Sequence, residues 1–402
     1  MTQLASVISK ERVAMSDVLI RALAPIGIAI LLALAMHGLG LIGGAYAERI
    51  LVNCGVAIIA AVSLTIVNGF TGQFSIGHAA FMAVGGYAAG LLTYYVALSH
   101  MTPEAIREIA PSLFGSQQWM LAIACIFAGF VAAGTGWLVG LPSLRLKGDY
   151  LAIVTLGFGE IVRVLLQQTP TQIDSAEAFQ KAGWLGVLIP PATNGSLGFR
   201  DLPKVTNLFW TYLFVGATIL IAYRVKTSSY GRALLSIRED EIAAESMGIN
   251  IAKLKVRAFI LAAFFAGVAG ALYAHQQGNL LTPKDAGFIR SFDIVMMVVL
   301  GGLGSISGSV LAAIVITVLN AWLVPLGPYR MILFALALIL MMIFRPQGLF
   351  GLREIWEALT LENVRKYWAE YGRRTLLQLA VLVAACLAYV AFKLVVYFAT
   401  LH

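Results

Sequence analysis

Apolar runs of about eighteen residues recur along the whole chain, and no other feature limits the fold so tightly. Candidate spans are 20–43, 49–69, 75–97, 119–141, 149–168, 207–223, 257–276, 292–303, 309–327, 329–345 and 375–400. A run of that length crosses a ~30 Å hydrocarbon core as helix. Inside lipid every backbone N–H and C=O needs a partner within its own segment, which selects helices. Composition agrees: 60% of residues are hydrophobic and 12% charged, against about 25% charged in a soluble domain. The expectation is an all-α, polytopic integral membrane protein with about 10 core transmembrane helices and one extra C-terminal span. Span 292–303 is short for a crossing and could be re-entrant; parity with its neighbours keeps it as a span.

Charge sets the orientation. With the N-terminus inside, the segments 1–21, 70–74, 142–148, 224–257, 304–308 and 345–374 collect 18 of the 28 Lys/Arg, and the opposite side 8. Basic residues concentrate on the cytoplasmic side, so the net charge of +8 requires no nucleic-acid partner. The first nineteen residues are polar and mixed, so the first span reads as an uncleaved anchor. The three cysteines (Cys54, Cys125, Cys386) sit in apolar spans without metal or disulfide spacing, and the five histidines are scattered.

Four stretches carry more than hydropathy. Tyr223 to Arg257 is the longest charged interval between apolar spans, with seven Lys/Arg against Glu239, Asp240, Glu241 and Glu245. Within it Ala233, Leu234, Ile237, Ile242 and Ala244 recur at three- and four-residue steps, predicting short amphipathic helices punctuated by Gly231 and Gly248. Such order in a loop points to a docking surface for a soluble partner, the plain alternative being a solvated loop. Val67–Gly90 sets Asn68, Thr71, Gln73, Ser75 and His78 among glycines, and Leu300–Ala313 repeats the spacing around Gly301, Gly304, Ser307 and Gly308. Paired Gly-interrupted segments point to a translocation site; close helix packing through small residues is the equal alternative. In the fourth stretch Asp149 opens a span and Glu160 lies ~16 Å deeper at helical rise, with Arg163 at i+3 on the same face. That pair suits either a zwitterion's two charges or a structural ion pair.

Together these stretches resemble one family. RLKGDYLAIVTLGFGEIVR (145–163), YGRALLSIREDEIAAESMGI (230–249), VLGGLGSISG (299–308), RPQGLFG (345–351) and NGFTGQFSIGHAAFMAVGGY (68–87) are similar to the LivM-type permeases, membrane subunits of ABC importers of branched-chain amino acids. The resemblance covers about residues 45–351. It implies that 224–257 couples the permease to its ATPase through Arg232, Arg238, Glu239, Asp240, Glu241, Ala243, Ala244, Glu245 and Gly248. The general ABC-permease pattern there, Glu-Ala-Ala, three residues, Gly, has Ile242 in place of the Glu. The resemblance also implies a second permease of the LivH type, two ATP-binding cassette subunits and a periplasmic substrate-binding protein, in a bacterial inner membrane. No Gly-x-x-x-x-Gly-Lys-[Ser/Thr] occurs, so no cofactor is expected on this chain and ATP with Mg belongs to the partners.

The expected plan is a cytoplasmic segment 1–19, a permease domain 20–351, an interfacial amphipathic helix 352–374 rich in Trp and Tyr, and a further anchor 375–402. A translocation path is expected along Asn68, Gln73, Ser75, His78, Asp149, Glu160, Arg163 and Ser307. A membrane-embedded enzyme would need clustered acids or paired histidines, which the chain lacks. An ion-coupled secondary transporter of amino acids accounts for the spans and Glu160 but not for an ordered docking loop. Among solutes, leucine, isoleucine and valine stand beside urea, short amides and aromatic acids.

Overall fold

A computed structural model describes residues 15–102, 105–106, 115–143, 149–277 and 280–323, with scattered positions beyond. The chain divides into two units, Met1–Leu352 and Arg353–His402, and the fold described below belongs to the first. The N-terminal residues 1–14, the basic turn 144–148, and nearly all of the last expected spans and interfacial helix lie outside the described residues.

The first unit is an all-α, multi-pass membrane bundle. Its elements are α1 (Met15–Leu64), a π-turn (Thr65–Gly69), α2 (His78–Leu98), α3 (Ser116–Ser143), α4 (Asp149–Gln167), α5 (Ala176–Leu188), α6 (Leu208–Thr227), α7 (Ser229–Glu239), α8 (Glu241–Ser246), α9 (Ile251–Gln277), α10 (Phe288–Gly301) and α11 (Ile306–Leu323). Among the described residues seven helical segments are long and apolar enough to cross a membrane; they match the expected spans from 49–69 to 309–327 except 292–303. The first expected span, 20–43, joins the second in α1, with the backbone broken at Gly44 (φ 72°, ψ 171°).

Span 292–303 takes a distinct form. α10 has 14 residues, ~21 Å at helical rise, and the chain before it is drawn into the bundle. Leu280–Leu281 pairs antiparallel with Phe199–Arg200. Leu281 O accepts the Tyr87 hydroxyl at 2.9 Å, nine residues or ~14 Å along α2. A 3₁₀ turn, Pro283–Ala286, follows, so extended chain and a short helix share the thickness that one long helix would otherwise cover.

Glycine sets the helix spacing. A Cβ added at Gly85 would lie 2.4 Å from Gly267 Cα, and one at Gly270 would lie 1.7 Å from Met82 O, so α2 and α9 touch backbone to backbone. α10 and α11 do the same at Gly301 and Gly308, where an added Cβ would meet the opposite carbonyl group at 2.0–2.5 Å. Membrane helices gain no hydrophobic attraction from each other and rely on this close contact. Beyond the end of α2, the loop 169–206 folds over Tyr94, Tyr95, Phe179 and Phe199, which pack in one buried cluster. Ser175 caps α5 there.

Candidate functional site

The two Gly-interrupted segments meet each other, although 232 residues separate their first glycines. A Cβ at Gly69 would lie 2.7 Å from Gly304 N, so only a bare backbone lets the turns touch. Two cations from the charged interval fasten them. Arg238 Nη1, on α7, donates to Gly69 O at 2.8 Å and to Leu303 O at 3.3 Å. Lys226 Nζ, at the end of α6, donates to Gly304 O at 2.9 Å and stands 6.0 Å from the centre of the buried Phe70 ring. Both cations answer carbonyls that the glycine turns leave outside any helix. Ser305 completes the second turn by accepting the Gly308 N–H, and Thr65 and Ser309 hydroxyls join the two segments at 2.8 Å.

The charged interval is helical, as its pattern predicts. α7 buries Gly231, Leu234 and Ile237 against the bundle. α8 buries Ala244 and is capped by Asp240, whose carboxylate accepts from Ile242 N and Ala243 N. It ends in a Schellman turn: Ile249 N donates to Ala244 O, Gly248 N to Glu245 O, and Gly248 sits at φ 81°, where glycine carries no Cβ penalty. Arg232 braces the α6–α7 junction through Thr227 O and Ser229 Oγ. Glu241 pairs with Lys255 at 2.6 Å, the lysine side chain only 3% exposed. Ile242, counted by its spacing with the inward stripe, is 76% exposed, as is Met247 at 82%. A six-residue helix has one inward face and Ala244 occupies it. Ile242, Met247, Ala243, Glu239 and Glu245 therefore form the outward surface of this end.

The residues expected along a path are dispersed. Asn68 braces its own turn, accepting from Ser75 N at 3.1 Å. His78 Nε2 lies 2.7 Å from Ser63 Oγ, fully inside the bundle. Gln73 Oε1 and Ser75 Oγ are buried without a hydrogen-bond partner among the described residues. Ser307 is buried beside Ser305. Glu160 and Arg163 form their i,i+3 pair at 2.6 Å, partly exposed. Asp149 opens α4, and its side chain lies outside the described part.

None of these residues lines a separate cavity within the bundle. That cavity, ≈ 630 Å³, is bounded by α1, α10 and α11 with Met82 of α2 and Tyr273 of α9, and its polar wall is Arg49, Asn53, Arg290, Asp293, Thr317 and Asn320. Counted along α1, Arg49 stands ~30 Å from Gly69 and Ala60 ~14 Å, so the cavity occupies the half of the bundle away from the Arg238 clamp and ends above it. These polar residues come from three helices and share no local sequence signature. One signal was present: Asp293 is an acid inside an apolar span, a position that marks function by default.

Residues 46–344 match the family described as "Branched-chain amino acid transport system / permease component". The chain is 34% identical over 312 residues to the high-affinity branched-chain amino acid transport system permease protein LivM of Escherichia coli, covering 73% of this chain and 67% of that protein. It is 25% identical over 330 residues to a probable LivM permease of Methanocaldococcus jannaschii (75% and 92% covered). To the E. coli permease protein LivH it is 22% identical over 306 residues (73% and 91% covered). No solved structure matches it.

Proposed function

The chain belongs to the permease-component family of branched-chain amino acid transport systems, and from that premise we propose that it is one membrane subunit of an ATP-driven importer. It carries a branched-chain amino acid, or a related small polar solute, released by a periplasmic binding protein. Its partner in the bilayer is a second permease of the LivH type, to which it is itself distantly similar. Two ATP-binding cassette subunits supply Mg-ATP hydrolysis from the cytoplasm, and the α7–α8 end faces them. In this orientation the N-terminus is cytoplasmic, the membrane is the bacterial inner membrane, and the cavity opens outward.

The observation that carries this reading is the clamp. A soluble partner drives a transporter only by binding its two states unequally. α8 offers such a partner an outward surface with two large apolar side chains beside acids, the kind that seats in a groove. α7 follows α8 without slack, since Asp240 ends one helix and caps the other. Arg238 of α7 then holds both glycine turns beneath the cavity. Displacement of α8 by the partner is thereby transmitted to the two turns.

The test is leucine uptake by the reconstituted complex with ATP present, with ATP absent, and with an imposed ion gradient instead. Uptake that requires ATP and the binding protein supports the importer. Uptake driven by the gradient without ATPase subunits would overturn it in favour of ion coupling.

A further inference from the structure

We infer that the membrane cavity is itself a solute site that reads both charges of an α-amino acid and the shape of a short aliphatic side chain. The inference rests on the importer reading and assigns the recognition residues within it.

One face of α10 supplies a paired set of charges to the site, whose longest wall is α1. Arg290, Asp293, Ile294 and Met297 follow the i, i+3, i+4, i+7 stripe, and all four line the cavity. A guanidinium and a carboxylate thus stand one turn apart, with apolar side chains a further turn toward the clamp. Arg290 lies over the Tyr273 ring in a cation–π contact, its Cζ 4.8 Å from the ring centre. That ring is itself fixed by the Tyr273 hydroxyl donating to Asp285 Oδ1 at 3.1 Å. The guanidinium fork matches a planar carboxylate. On α11, Asn320 Oδ1 is a buried acceptor without a hydrogen-bond partner among the described residues, a costly arrangement unless a donor arrives. An ammonium between Asp293 and Asn320 is such a donor. Met82, Ile294 and Met297, all buried, form the apolar floor, and methionine adapts to branched side chains of differing shape. Seven residues of α10 span ~10 Å, enough for a small amino acid laid along the helix.

The experiment uses the full complex in nanodiscs without the binding protein. Bound tritiated leucine is competed with leucine, with 4-methylpentanoate, which lacks the ammonium, and with 3-methylbutylamine, which lacks the carboxylate. Wild type is expected to favour leucine at least tenfold over either analogue. Asp293→Asn should weaken leucine about tenfold and close its gap to 4-methylpentanoate, leaving the gap to the amine. Arg290→Gln should do the reverse. Asn320→Ala should weaken leucine and the amine alike and spare 4-methylpentanoate, a readout that survives if a charge variant fails to fold. Folded variants with unchanged discrimination overturn the inference, as does dissociation of the permease pair, which would make the cavity wall an interface. Absence of leucine binding in a wild-type complex that still imports leucine with ATP also overturns it, leaving the importer reading intact. Absence of ATP-driven uptake by wild type removes the importer reading itself.

Discussion

Replacing Arg238 by Met removes the clamp while leaving most of its packing. The aliphatic stem is what Gly72 faces, an added Cβ there lying 3.0 Å from Arg238 Cγ, and Met preserves that contact. What is lost is the bond from Nη1 to Gly69 O at 2.8 Å, worth about 1.5–3 kcal/mol for a charged donor. The longer bond to Leu303 O at 3.3 Å is the weaker of the two and adds to that figure. If the bond exists in one transport state only, its loss removes ~2 kcal/mol of coupling, about thirtyfold. The assay is leucine imported per ATP hydrolysed in proteoliposomes. ATP hydrolysis should stay within about twofold of wild type while uptake falls about ten- to thirtyfold. Arg238→Lys, whose ammonium is a point charge rather than a fork, should be intermediate. An unchanged ratio refutes transmission through the clamp. A parallel fall in both activities with a lowered unfolding temperature refutes it differently, by making Arg238 a static fastener.

Other consequences follow from single contacts. Gly308→Ala drives a methyl into Gly301 O and should destabilise the detergent-solubilised protein by about 1–3 kcal/mol, whereas Gly134→Ala, with open space around it, should be neutral or gain up to ~1 kcal/mol; thermal unfolding separates them. Glu241→Gln strands the buried Lys255 at a cost of about 1–3 kcal/mol. Adding Lys255→Met should recover most of it, as a double-mutant cycle would show. Ile242→Asp with Met247→Asp changes two exposed side chains and should leave permease stability within about 0.5 kcal/mol, yet abolish co-purification of the ATPase subunits; retained co-purification would remove α8 from that interface.

What the sequence makes legible is local. Seven of the expected spans follow from hydropathy, and α7 and α8 from the steps of Leu234, Ile237 and Ala244 and the stop at Gly248. Glu160 and Arg163 meet because one helical turn brings them together. The meeting of Gly69 with Gly304 is tertiary, and spacing similarity alone leaves it open. A path drawn through Asn68 and His78 follows from polar residues in apolar surroundings, but the fold spends both on internal hydrogen bonds. Ile242 faces outward because a short helix is positioned by its neighbours rather than by its own periodicity. The cavity was illegible for the same reason: Arg49, Arg290 and Asn320 share a wall only once α1, α10 and α11 are packed.

The backbone contacts at glycine also limit which degrees of freedom the molecule retains. Helices that touch without intervening side chains have no compressible layer where they meet, which restrains sliding of α2 on α9 at Gly85 and Gly270 and ties the end of α10 to α11 at Gly301 and Gly308. Each pair is expected to move together at these contacts. The cavity is bounded by both pairs, through α10 and α11 and through Met82 and Tyr273, and by α1 between Tyr46 and Ala60. Its volume therefore depends on how α1 and the two pairs are spaced, and probes placed at Met82 and Thr317 would read the separation of the pairs.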